Sequence, residues 1–355
     1  MTGAARRLTP LWRDLLELRP HDRDHWAALR VGLAIAVPLV VLWAVGRTDL
    51  AMFAVFAAFT AVYGRNFPHL SRLRLQLVAG GAQLLSIAVG GAVALSPNRT
   101  LLIVPVAALW AFGSSLLADR VRWAPPGPLF QVFAIAAIAS SQSTPTRYGQ
   151  GLVVAVASIA FALLVGYIGR LLWRSAPGRL HNPYTKPIVI PPPVHGALAH
   201  ATMFAIGAFV AGAIPALIGI GHPYWAMVSA IAALGVPGGY NRVLRATHRF
   251  VGTMIGLALG ALLLSFHPAG LMAIALIIVL QAAAELFVVR NYSLALIMLT
   301  PLVLVIGELG APVPLGSLIW QRGVETFIGV AVAIVMAIFM ARKHGDRQRL
   351  DSISS

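Results

Sequence analysis

Twelve apolar stretches, each bounded by charged residues, proline or glycine, alternate with polar turns along this chain. They run near 27–45, 49–63, 75–95, 99–118, 124–142 and 149–171. After a polar, proline-rich interval they resume near 197–219, 224–238, 247–266, 268–289, 291–308 and 319–341. About 20 apolar residues in a helix cross the ~30 Å hydrocarbon core of a bilayer. Backbone amides in lipid must be satisfied within the segment, which selects helices. The fold class that follows is all-α, a polytopic membrane protein of about twelve transmembrane helices. The second and eighth stretches are short for a span and are expected to be steeply tilted or incomplete. Composition points the same way, with 59% hydrophobic and 11% charged residues. A soluble domain carries about 25% charged residues to keep its surface wet. No cysteine is present, which excludes disulfides, cysteine-ligated metals and thiol catalysis.

The net charge of +16 would suggest nucleic-acid binding in a soluble chain. Here the positions of the charges decide. With the N-terminus placed in the cytoplasm, only Arg47, Arg99, Arg147 and Arg322 of the 27 Lys and Arg fall on the outer side. That asymmetry is the positive-inside pattern, together with attraction to anionic lipid. No nucleic-acid partner is expected. The localisation read from it is a bacterial inner membrane, multi-pass, with both termini cytoplasmic. The first thirty residues hold four acids and no long apolar core, and read as a cytoplasmic amphipathic arm and not a cleavable signal peptide.

The chain also repeats itself. At an ungapped offset of 175, His25 meets His200, Gly46 meets Gly221, Met52 meets Met227, Gly64 meets Gly239, Asn66 meets Asn241, Arg74 meets Arg249 and Arg147 meets Arg322. An even number of spans per repeat gives two parallel six-helix repeats about an axis along the membrane normal. The expected organisation is an arm over 1–26, a first membrane repeat over 27–171, a proline-rich cytoplasmic linker over 172–196, a second repeat over 197–341 and a basic tail over 342–355. The seam between repeats is the natural path across the bilayer.

The turn after each second span carries the residues with chemistry to offer. Arg242, Arg245 and Arg249 are spaced three and four apart and form a basic stripe on a helix. Behind them Gly252, Gly256 and Gly260 make a small-residue ridge that lets another helix approach. The first half offers Arg65, Arg72 and Arg74 in the corresponding place. Two such sets at the inner mouth of the seam would concentrate an organic anion; as topology residues they would touch lipid phosphate instead. Arg147 and Arg322 form an outer counterpart or interface anchors. Tyr224 and Trp225 are belt residues or a stacking surface for an aromatic substrate.

The run Tyr224-Trp225, Asn241-Arg242, Arg249-Phe250-Val251-Gly252-Thr253 and Arg290-Asn291-Tyr292 resembles the fusaric-acid-resistance family. That family includes aromatic acid exporters and is similar to plant aluminium-activated malate channels. The resemblance covers most of the second half, and the first half weakly through the repeat. It implies export of carboxylate-bearing, often aromatic compounds. Larger exporters of the family carry a substantial soluble domain, for which this chain has no room, so adaptor partners are not implied.

Ionisable residues inside spans are functional candidates by default. Glu285, Glu308 and Glu325 are the acids there. Glu325 follows Arg322 by one turn and forms either an intrahelical ion pair or a proton-accepting group coupled to anion movement. Glu285 has the same two readings, with Arg290 as its pairing partner. Asp49 and Asp119 are expected to pair locally with Arg47 and Arg120. No metal-spaced histidine cluster, Walker loop or nucleophile elbow occurs, so no metal, cofactor or enzymatic chemistry is expected. The reading is an organic-anion exporter whose partners are lipid and its substrate, with a passive anion channel or a non-transporting scaffold as alternatives. A homo-oligomer is compatible with the sequence.

Overall fold

The structure is a computed structural model that describes residues 11–20, 24–65, 67–141, 143–174, 196–310 and 314–353. Asn66, most of the expected linker and the first ten residues of the expected arm lie outside the described residues. Among the described residues every regular element is helical. A short α1 (Leu11–Leu16) precedes α2 (Asp24–Ala44), α3 (Ala51–Ala58), α4 (His69–Ala94), α5 (Arg99–Val121), α6 (Leu129–Ser140) and α7 (Pro145–Arg174). The second half contains α8 (Ala197–Leu217), α9 (Tyr224–Leu234), α10 (Gly239–Ser265), α11 (Gly270–Phe287), α12 (Tyr292–Gly310) and α13 (Leu315–Ile353). One-turn 3₁₀ segments, Thr48–Leu50 and Phe59–Val62, flank α3.

Each of the twelve apolar stretches forms helix, yet only nine of these helices, among the described residues, are long and apolar enough to cross a membrane. Thr48–Val62, Leu129–Ser140 and Tyr224–Leu234 are the shorter three. The correction concerns the fifth stretch, expected to be full length from 124. Pro125, Pro126 and Pro128 precede its helix, and proline in the first turn costs no hydrogen bond whereas proline deeper inside breaks the ladder. The helix therefore begins at Leu129.

The short helices have one physical role. Every residue of α9 from Tyr224 to Leu234 is buried, as are Phe53–Ala58 of α3 and Gln131–Ala139 of α6. The long helices carry the exposed apolar side chains instead, including Leu101, Leu109, Leu217 and Phe339 at 70–86% exposure. A water-facing protein does not present such a surface. The short helices thus form a core inside a jacket of spans whose outer faces suit lipid.

Pairings within the halves match. In the first half α4 packs on α6 and α7, α3 on α7, α2 on α3 and α5 on α6. In the second, α10 packs on α12 and α13, α9 on α13, α8 on α9 and α11 on α12. Between halves α5 lies on α8 while α2 lies on α11, and α6 meets α9 while α3 meets α12. Advancing every helix by six maps one set onto the other.

The glycine ridge performs as its spacing predicts. A side chain begun at Gly252 would meet Ser293 O at 2.6 Å, one at Gly256 would meet Thr300 Cβ at 2.8 Å, and one at Gly260 would meet Leu304 Cδ1 at 2.8 Å. α10 and α12 are therefore in backbone-to-backbone contact. Gly329 does the same for α13 on α9, with Ala226 O only 2.2 Å from where its side chain would start.

Two opposite faces can be told apart. The arm segment docks on one: Arg19 N–H donates to Arg290 O at 3.2 Å, and Asn291 Nδ2 donates to Leu15 O at 2.8 Å. Asp49, Ser141, Arg147, His222 and Glu308 gather at the other.

Candidate functional site

A core helix only 11 residues long leaves both ends inside the protein, where four N–H and four C=O groups need partners. Both ends of α9 are supplied from its own half. At its C-terminal end Arg245 Nε donates to Ala232 O at 2.9 Å, and Arg242 Nε donates to Val236 O at 3.0 Å. At its N-terminal end Glu325 Oε1 accepts the His222 N–H at 2.9 Å. A carboxylate at a helix N-terminus and cations at the C-terminus complement the helix dipole. Glu325 is fully buried, and no ion pair closes between it and Arg322 one turn away. The expected intrahelical pair is absent because the carboxylate turns to the amide of the preceding loop.

Where α9 begins, a cavity of about 200 Å³ lies between the halves, towards the face opposite the arm. The first half contributes Asp49, Phe56, Phe133 and Arg147; the second contributes His222, Tyr224, Trp225 and Glu308. Arg147 Nη2 donates to Asp49 O at 2.9 Å, and its Nε has no hydrogen-bond partner in the protein. Asp49 pairs with Arg47 at 2.9 Å, as the sequence predicts. Trp225 stacks on His222, with ring centroids 5.1 Å apart, and Tyr224 stacks on Phe133 across the seam at 6.2 Å. Arg322, 3% exposed, lies over the Trp225 ring with Cζ 4.7 Å from its centroid, a cation–π contact. His222 Nδ1 and Gln321 Oε1 are 2.6 Å apart, and burial holds the imidazole below its ordinary pKa, with Arg322 nearby adding to the effect.

The remaining sequence candidates are placed as follows. Arg249 is buried, and its Nη1 donates to Tyr292 Oη at 3.0 Å, while Arg245 covers the same ring at 3.9 Å. Arg74 is exposed on α4; its neighbour Arg72 is the buried one, 2.7 Å from His69 Nδ1. Arg74 and Arg249 therefore line no common cavity. A gapless offset matches them in sequence, but the two residues between Arg72 and Arg74 rotate a helix position by about 200°, to the opposite face. Asn241 is exposed and donates to Pro237 O at 2.9 Å.

The acids are corrected in two places. Glu285 pairs not with Arg290 but across the halves with Arg65, whose Nη1 is 3.0 Å from Oε2 and whose Nη2 donates to Glu285 O at 2.8 Å. Asp119 pairs with His200 of α8 at 2.8 Å, not with Arg120. Both links join residues far apart in the chain, which spacing rules do not see. Sequence reasoning also missed His222, Gln321 and the role of Tyr292 as a shared acceptor. The apolar jacket, core of capped short helices and largely apolar cavity between matching halves are those of a multi-pass helical membrane protein.

The particular kind of membrane protein comes from comparison. Residues 197–336 match the family described as fusaric acid resistance protein-like. A stretch of 152 residues, 42% of this chain, is 28% identical to the uncharacterized membrane protein YvaC of Bacillus subtilis (strain 168). The aligned stretch spans 24% of that relative's length. No solved structure matches the chain.

Proposed function

We propose that the protein is a transporter of small organic anions, with single-ring aromatic carboxylates as its substrate class and the seam cavity as their binding place. The observation that carries this reading is the cavity lining: aromatic faces from both halves beside the Arg147 guanidinium, whose Nε faces Asp49 at 3.8 Å without a hydrogen bond. Its volume of about 200 Å³ lies below the roughly 300 Å³ at which pockets for drug-sized ligands begin, so one ring is the fitting size. The matching pairings support a duplicated six-helix unit with its path along the seam. The family match supports transport of this kind, without chemistry of its own.

A coupled carrier is favoured over an open channel because the Arg65–Glu285 pair bridges the halves on the arm side while the cavity lies on the other. Of the lining carboxylates Asp49 is committed to Arg47 and Arg147, which leaves Glu308 as the proton acceptor for coupling. Glu325, committed to the end of α9, serves position more than proton transfer. The direction of transport is outward, with the arm face cytoplasmic.

The test is uptake of a labelled carboxylate panel into everted vesicles, with and without a proton gradient. Gradient-dependent accumulation of benzoate-like compounds is expected, cut at least tenfold in Trp225→Ala and in Arg147→Gln. Uptake of every panel member at the rate of vesicles lacking the protein would exclude the reading. Unitary currents indifferent to the gradient would replace the carrier with a channel.

A further inference from the structure

Behind Trp225, inside the second half, three helices bring buried polar atoms to one level. Gly323 of α13 sits against Met254 and Leu257 of α10, which places Arg322 beside the turn of α10 that contains Thr253. Thr300 of α12 faces Gly256 on the same stretch of α10. Arg249 precedes Thr253 by one helical turn and Thr326 follows Arg322 by one, so each Arg–Thr pair shares a face. Trp225 of α9 packs on Arg322.

The polar atoms of this group lack partners. Arg249 Nε, Arg322 Nε and Nη1, Trp225 Nε1, and the hydroxyls of Thr253, Thr300 and Thr326 are all buried without a hydrogen-bond partner in the protein. Thr253, Thr300 and Thr326 are 0% exposed, and the two arginines 3–4%. Guanidinium and indole N–H groups only donate, and hydroxyls can donate. Hydroxyls can also accept, and Glu325 Oε2, one turn from Arg322, is itself buried without a partner, so the group is rich in donors with few acceptors to meet them. Its charge is unbalanced as well. Arg249 and Arg322 are near enough to repel one another, and Glu325 is the one carboxylate among the charges acting on Arg322. Two cations against one carboxylate leave one negative charge wanting, in surroundings where an uncompensated charge is costly.

We infer that Arg249, Arg322, Thr253, Thr300, Thr326 and the Trp225 indole N–H form an enclosed seat for one small monovalent anion, a halide or the carboxylate head of a short acid. The seat is distinct from the seam cavity, whose lining includes Trp225 but neither arginine. Trp225 is the partition between the two. The anion completes the charge of the second half and fixes Arg322 against Trp225, whether or not the seam carries substrate.

The experiment uses the purified full-length chain and needs no transport. Bromide is titrated at constant ionic strength against gluconate, which is too large for an enclosed seat. Trp225 emission is followed as the difference between the protein and Trp225→Phe, and the thermal midpoint is measured in both salts. Saturable quenching and a higher midpoint in bromide are expected. Thr300→Val and Thr326→Val, which keep shape and remove a hydroxyl, should each weaken the apparent affinity about tenfold. Arg322→Gln should abolish saturation. Acetate competing with bromide would identify a seat that accepts carboxylate heads, and absence of competition one confined to halides; either supports the anion seat. Quenching that stays linear in bromide with no rise in midpoint would overturn it. So would saturation unchanged in both valine variants.

Discussion

Arg65 and Glu285 hold the halves together at the arm side with a bidentate contact between partly buried groups. Removing one member strands the other away from water, so Glu285→Ala should lower stability by ~2 kcal/mol, read as a lower unfolding midpoint. The charge swap Arg65→Glu with Glu285→Arg should recover part of that loss, whereas Arg290→Ala, which removes an exposed hydrogen bond to Arg19 O, should lower the midpoint much less. His222 gives a pH signature. Burial lowers its folded-state pKa below 6.5, so above pH 6.5 both folded and unfolded states hold it neutral and it contributes nothing. As pH falls below 6.5 the unfolded state takes up the proton first, and stability declines until the folded-state pKa is passed. In His222→Asn that segment of the stability–pH curve should be flat. A slope identical to that of the parent protein would show that another group governs it.

At the scale of elements, close approach is the governing fact. Gly329→Ala would push a methyl group into Ala226 O and should cost ~1–3 kcal/mol through overpacking. Gly256→Ala meets Thr300 and should cost a similar amount. Gly81, its counterpart at the offset of 175, has open space beside it, and Gly81→Ala should be tolerated. A thermal series over the three variants checks the ranking. The same contrast shows what a sequence can and cannot reveal about elements. The Gly252, Gly256 and Gly260 period is local, and one helix face follows from it. Which of Arg72 and Arg74 turns inward depends on how α4 is rotated against its neighbours. No period in the chain encodes that rotation. Gln76 and Gln83, both 0% exposed on α4, went unremarked for the same reason. Proline punctuation located the start of α9, but the helix stops at Leu234, four residues short of the expected end, and the groups that cap it come from α10 and α13.

For the whole molecule, apolar length and charge placement were enough to read a multi-pass helical protein. The contacts between halves were not legible, because Arg65–Glu285 and His200–Asp119 link residues 220 and 81 positions apart. The orientation deduced from the basic residues is directly testable, since the chain has no cysteine of its own. Single cysteines at Arg99, half-buried, and Asn241, exposed, should react oppositely with a membrane-impermeant maleimide. Arg99→Cys should label in intact cells and Asn241→Cys only after permeabilisation. The reverse result would invert the direction of transport assigned above.

The brevity of α9 bears on how the protein is made. At 11 residues it reaches about 16 Å, roughly half a bilayer, so its own hydrophobicity is insufficient to retain it across lipid as it emerges from the ribosome. Its carbonyl end gains partners with α10, but its amide end waits for Glu325, 103 residues after His222. Insertion of the second half therefore cannot finish helix by helix in order of synthesis. An early segment must stay sheltered, at the translocon or a chaperone, until the last span arrives to lock it.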